Sequence, residues 1–226
     1  MPHSSPSSTL EFYFRPQPCG RYANRWVIAS ISLLLIAVLA TLWLYLYTKT
    51  LNKPFVDIKG YRVPTQESFE RFLRQGDHRA QFRRLEDYLQ RSGVGDAIDP
   101  RTLLRQGTDW LDYNEPAFAI APKSTWRNMV ATLALLRDEI VPAIGPVTVL
   151  SAYRSANYNR RSGGASTSRH RDFCGLDLVP QSNISRKELG EELKALHARL
   201  GPESNMGLGL STKLRFHIDT CGYRSW

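Results

Sequence analysis

Ser168-Arg-His-Arg-Asp-Phe-Cys-Gly-Leu-Asp177 and a second short stretch later in the chain, Phe216-His-Ile-Asp219, decide how this sequence is read. Together they offer two imidazoles and one carboxylate: His170, His217 and Asp177. That donor set suits a catalytic Zn2+ whose fourth position is left open to water. If the three meet at one point, the chain is a metal-dependent hydrolase. Taken singly, each would be explained by structure alone.

Strand alternation sharpens the expectation. Successive side chains of an extended segment point to opposite faces. Across residues 214–220 this puts Arg215, His217 and Asp219 on one face and Leu214, Phe216 and Ile218 on the other. The apolar face belongs to a core. The polar face carries an imidazole with a carboxylate two residues on, and metal-binding histidines usually hand their second ring proton to such a group. Asp219 is therefore expected to support His217. Asp177 likewise points away from Leu176 and Leu178, onto the face of Gly175.

Working outward, residues 147–152, 175–179 and 214–220 read as strands. Ser124 is placed to cap a helix whose stripe is Trp126, Met129, Val130, Leu133, Leu136 and Ile140, with Pro142 ending it. Leu189, Leu193, Leu196 and Leu200 recur at helical spacing over residues 186–200. Upstream, Phe69, Phe72 and Leu73, then Phe82, Leu85 and Leu89, mark two helices that stop at Gly76 and Gly93. Asp99-Pro100 supplies the cap and first turn of a third. Arg71, Arg74, Arg79, Arg83 and Arg84 fall on the outer faces of this segment and read as solvated. Helices around a small antiparallel sheet give an α+β domain. The organisation expected is a disordered tail (1–25), an anchor (26–47), a connector with a helical segment (48–122), and the domain that carries the chemistry (123–226).

The anchor rests on WVIASISLLLIAVLATLWLYLY, uncharged from Trp26 to Tyr47. About 20 apolar residues span a bilayer, and Trp26, Trp43, Tyr45 and Tyr47 sit where aromatic belts form. A cleaved signal peptide would have a shorter apolar core and a small-residue cleavage site. Arg15, Arg21 and Arg25 precede the span with only Glu11 against them, while Lys49 and Lys53 follow it. That bias favours a cytoplasmic N-terminus, a single pass through a bacterial inner membrane, and the remaining residues in the periplasm or outside the cell. The net charge of +9 stays mainly with those remaining residues. It suits a polyanionic partner or a generic solubilising surface equally, and no nucleic-acid motif stands out. Of the three cysteines, Cys19 precedes the span, where a lipidated or free thiol is expected, and Cys174 and Cys221 follow it, where disulfides are permitted.

Ser151-Ala-Tyr-Arg-Ser155, Asn159, Gly163-Gly164, Ser168-Arg-His170, Asp177 and His217-Ile-Asp219 resemble the zinc D-Ala-D-Ala carboxypeptidases, a family that includes peptidoglycan endopeptidases and shares the hedgehog/DD-peptidase fold. The resemblance covers roughly residues 123–226. It implies a zinc held by His170, Asp177 and His217, with Arg154 at the scissile carbonyl or its oxyanion. It also implies Ser168 lining the site, Asp219 behind His217, and a peptidoglycan peptide cleaved next to a D-amino acid as substrate. Departures accompany it. Phe173 and Gly175 stand where relatives often carry Gly and Ala. Leu214 and Arg215 stand where relatives carry the general base, which leaves Asp172, Glu192 and Glu203 as candidates from elsewhere. Arg215 could instead hold a substrate carboxylate. The same departure implies an alternative: a weak or inactive relative that binds cell wall or acts as an envelope adaptor. If both histidines reach one metal, Cys174 and Cys221 lie near each other too, with a bridge, free thiols and zinc ligation all open. The sequence is silent on oligomeric state.

Overall fold

The computed structural model describes residues 21–51 and 53–226. It divides into one unit reaching Lys53 and a second running Pro54–Trp226. Residues 1–20 of the expected tail (1–25), with Cys19, lie outside the described residues, and residues 21–25 of it are helical. In the first unit a single helix, α1 (Arg21–Leu51), begins before the expected span and continues past it. Its stretch Asn24–Lys49 is long and apolar enough to cross a membrane.

The second unit opens with a hairpin, β1 (Phe55–Ile58) and β2 (Tyr61–Pro64), where the sequence suggested only a connector. Lys59 and Gly60 both take positive φ, 53° and 82°. This turn geometry matches the twist of paired strands, and the Gly60 amide donates to Asp57 Oδ1 at 2.8 Å. A lysine in the first position hides the usual signal. Thr65 then caps α2 (Gln66–Leu73) by accepting from the Ser68 amide. α3 (His78–Arg91) follows, and the expected third helix is a 3-10 turn, Pro100–Leu104, capped by Asp99.

The principal helix, α4 (Trp126–Leu135), differs from expectation at both ends. Ser124 sits inside a preceding 3-10 turn, Lys123–Thr125, rather than at the cap. Pro142 does not end the helix. A π-helical stretch, Leu136–Ile140, leads into α5 (Val141–Ile144), and Gly145 terminates it at φ 82°. Proline lacks an amide hydrogen and clashes in a regular α-helix; at the start of α5, after the π-bulge, that amide is not needed.

The five-stranded sheet has the order β3-β4-β6-β5-β7, built from β3 (Val147–Ser151), β4 (Gly175–Pro180), β5 (Gly207–Leu210), β6 (Phe216–Asp219) and β7 (Arg224–Ser225). All pairings are antiparallel except β5 with β7, which is parallel. Two helices complete the unit: α6 (Ala156–Arg161), and α7 (Arg186–Leu200), whose start is fixed by a reciprocal capping box between Ser185 and Glu188. The architecture is thus the α+β class with a small, mainly antiparallel sheet.

One apolar core runs through the unit without a break at position 123. Phe69, Leu85, Leu103 and Phe118 belong to the same buried cluster as Leu133, Leu193, Phe216 and Ile218. The helical segment upstream of residue 123 is therefore part of the wall that supports the sheet.

Candidate metal centre and cleft

The register of β4 and β6 sets Asp177 directly opposite His217, with Ser151 on the far side of Asp177 and Gly209 on the far side of His217. Ser151 reaches this row because β3 carries a bulge between Val149 and Ser151; an extra residue in one strand re-aims the side chains beyond it. Phe216 and Ile218, almost fully buried, face the core as alternation requires. Neighbouring glycines clear the polar face. A Cβ on Gly175 would lie 2.6 Å from His217 Cε1, and one on Gly207 would lie 2.4 Å from Asp219 Oδ2.

His170 arrives from the loop before β4. Its Nδ1–H donates to the Ala152 carbonyl at 2.8 Å, and the Arg154 amide donates back to the His170 carbonyl at 3.1 Å. That bond leaves His170 Nε2 as a bare acceptor. It lies 3.2 Å from Asp177 Oδ1. His217 mirrors it, with Nε2–H donating to Asp219 Oδ2 at 3.0 Å and Nδ1 placed 2.9 Å from the same Asp177 oxygen. The donor atoms of all three residues lie within 4.8 Å of one another. Without a metal, an imidazolium at His217 bridges Asp177 and Asp219. In the neutral ring whose Nε2–H is held by Asp219, Nδ1 is bare, and the two imidazole nitrogens with the Asp177 oxygen are a donor set that fits a zinc ion.

The electrostatics follow. Burial, with the Arg154 charge next, lowers His170 to about 4. Burial alone would raise Asp177, but His170, Arg154 and His217 outweigh it and hold the carboxyl well below the usual range. Burial would lower His217, yet its contacts with Asp177 and Asp219 raise it. Burial also opposes ionisation of Asp219, but His217, Arg224 and the Cys221 amide bring it down to about 2.

Arg154 Nη2 pairs with Asp177 Oδ2 at 2.5 Å, while Nε donates to Ser151 Oγ at 2.9 Å and to the Gln106 carbonyl at 3.1 Å. Nη1 makes no hydrogen bond among the described residues, and the side chain lines the cleft. Cys174 and Cys221 are joined by a disulfide, which ties the His170 loop to the segment beyond β6. Both cysteines are thus removed from metal ligation. Thr132 of α4 spans the same two segments, donating to the Cys174 carbonyl at 2.8 Å and meeting Thr220 Oγ1 at 2.9 Å.

The centre lies in a cleft of about 760 Å³ that Ser168, Arg169, Arg215 and Trp226 also line. Asp172, Glu192 and Glu203, the carboxylates considered from sequence for proton transfer, do not line it. Asp109 does, and apart from Asp177 it is the one carboxylate among the described residues that does so.

Sequence reasoning missed several residues here. Gln106 is almost fully buried and accepts from Ser151 Oγ, Arg154 Nε and the Ser155 amide. Nothing in Arg-Gln-Gly-Thr-Asp-Trp marks it, because its partners are distant in sequence. Arg224 grips Asp219 at 2.6 Å and lies 4.8 Å from the centroid of the Trp226 ring, which is 5.4 Å from that of His217. Their only signal was proximity to Asp219 along the chain.

Residues 110–212 match the family model described as Peptidase M15. The match takes in His170 and Asp177 and stops before His217, which the sheet register adds to the set. No curated protein and no solved structure matches the chain. The C-terminal half of the chain carries a Peptidase M15 domain, that of the zinc D-Ala-D-Ala carboxypeptidase family.

Proposed function

We propose that this protein is a zinc-dependent peptidase that hydrolyses peptidoglycan peptides next to a D-amino acid, as a carboxypeptidase or endopeptidase, and is anchored by α1 in a bacterial inner membrane with its second unit outside the cytoplasm. The observation that carries the reading is the convergence of His170 Nε2, Asp177 Oδ1 and His217 Nδ1 inside a cleft of about 760 Å³. In this reading those three atoms hold the zinc, which supplies Lewis acidity toward a peptide carbonyl and toward water. Arg154, fixed on three sides, presents its remaining N–H groups to the oxygen on which negative charge grows. Ser168 lines the substrate path. Asp219 keeps His217 in the tautomer that leaves Nδ1 bare. Asp109 is the carboxylate assigned to move the proton between the attacking water and the leaving amine, and Arg215 to hold a substrate carboxylate.

A second reading, a cell-wall-binding or envelope adaptor protein that retains the fold without turnover, is favoured by Leu214 and Arg215 in the positions where relatives carry the base. The deciding experiment measures zinc content and muropeptide cleavage for the wild type and His170→Ala. Near-stoichiometric zinc with cleavage, both lost in the variant, supports the peptidase. Zinc without cleavage of any muropeptide supports the binding protein.

A further inference from the structure

The cations that line the cleft have carboxylate partners, with one exception. Arg154 pairs with Asp177, Arg224 with Asp219, and Arg169 lies 3.8 Å from Asp172. Arg215 has no ion-pair partner among the described residues and is half-buried. It also lines two further recesses, of about 360 and 240 Å³, that share Ser211 and Lys213 with it. The smaller one gathers Arg186, Lys187, Lys194, Lys213 and Arg215 around one acid, Glu191, which lies 3.9 Å from Lys187. Lys194 and Lys213 have no ion-pair partner among the described residues. Elsewhere on this unit some surface arginines find carboxylates, as Arg71 does with Glu67 and Arg137 with Asp138, and isolated ones such as Arg74 and Arg83 do not among the described residues; the recess differs in gathering several cations around one acid.

These charges stand on a built turn. Ser211 Oγ donates to the Arg215 carbonyl at 2.7 Å and accepts from the Lys213 amide at 3.2 Å. The Ser211 amide donates to the Arg215 carbonyl at 3.2 Å, and Arg186 Nε donates to the Ser211 carbonyl at 3.2 Å. Like charges held together destabilise a compact fold, and a bound anion relieves them. At the start of α7 the capping box engages the Ser185 and Glu188 amides, and the recess meets an anion mainly with its side-chain cations.

We propose that Arg215 and the recess of Arg186, Lys194 and Lys213 form an anion-binding arm of the cleft that takes a carboxylate carried by the peptide substrate away from the cleaved bond. This rests on the peptidase reading, because the recess joins the cleft at Arg215 and its ligand is then the molecule the metal centre takes. Zinc-loaded full-length protein in detergent is titrated with a fluorescein-labelled peptide ending in D-Ala-D-Ala and carrying one internal Glu, and with its Gln counterpart. The Glu peptide binds about fivefold tighter at low salt. The preference shrinks as salt is raised and disappears in Lys194→Ala/Lys213→Ala, which retains zinc and cleaves the Gln peptide at the wild-type rate. Equal affinity for the two peptides, or a preference that survives in the double variant, overturns the proposal. So does selective capture of a phosphodiester polymer over the Glu peptide. A preserved, variant-sensitive preference in a protein that cleaves neither peptide leaves the arm standing and removes the peptidase reading.

Discussion

His217 donates its Nε2 proton to Asp219 across 3.0 Å, and Asp219 is completely buried beneath it. Arg224 and the Cys221 amide hold the carboxylate from the other side, so the orientation of a residue proposed to bind the metal depends on groups outside the donor set. Asp219→Asn is expected to weaken zinc binding about 10- to 100-fold, with Arg224→Ala acting in the same direction. Competition against a chelator of known affinity measures this. Unchanged zinc affinity in both variants would remove Asp219 from the supporting role.

The chelated protein should lose stability on acidification through His170. Its pKa falls from 6.5 to about 4 on folding. Between those values the unfolded chain binds the proton and the folded chain does not, so stability falls as pH falls. His217 does not reverse the trend, because its pKa is raised and its contribution is fully present below 6.5. The loss is about 3 kcal/mol between pH 6.5 and 4. Urea denaturation at each pH reads it by difference from His170→Asn, whose stability is flatter across the window.

The disulfide closes a sequence separation of 47 residues. Constraint of the unfolded chain by a loop of that size is worth about 4 kcal/mol. Cys174→Ser/Cys221→Ser should lower the melting temperature accordingly and weaken zinc binding, since the Cys221 amide anchors Asp219. Calorimetry with and without zinc separates the two effects.

Phe173 takes a φ of 52° in the left-handed region, which glycine adopts most readily. A non-glycine residue there costs about 1–2 kcal/mol. The ring is fully buried and packs edge-on to Tyr153, and removing a buried phenylalanine costs about 3–5 kcal/mol. Packing wins. Phe173→Gly should destabilise by about 2 kcal/mol and Phe173→Ala by more, because alanine keeps the strain and loses the ring. A denaturation series ranking Ala above Gly would reverse the argument.

Asp109→Asn is expected to lower kcat by about 10²–10⁴-fold with KM and zinc content unchanged. A full loss of zinc, or an unaltered kcat, would leave proton transfer to another group. Arg154→Ala should also lower kcat. Part of that effect is positional, since Arg154 braces Asp177 at 2.5 Å.

Local pattern located β3, β4 and β6, the stripe of α4 and the face shared by His217 and Asp219, because alternation, apolar runs and helical spacing are written in consecutive residues. β5 (Gly207–Leu210) and the two-residue β7 (Arg224–Ser225) are too short and glycine-rich or polar to carry such a signal and were missed. The apolar length of α1 was equally local. Where local signals were atypical, the reading missed. Lys59-Gly60 concealed a hairpin, and the π-bulge before Pro142 let a helix pass a residue that normally ends one.

The sequence by itself determined the chemical types at the centre and the strand alternation that gives His217 and Asp219 a common face. Only the tertiary structure decided that His170, Asp177 and His217 meet, that Cys174 and Cys221 bridge, and that the upstream segment shares the core. It alone brought Gln106, Asp109, Arg224 and Trp226 to the cleft. The reason is physical: strand register and loop closure join residues far apart in the chain, and spacing along the sequence carries no record of which strand pairs with which.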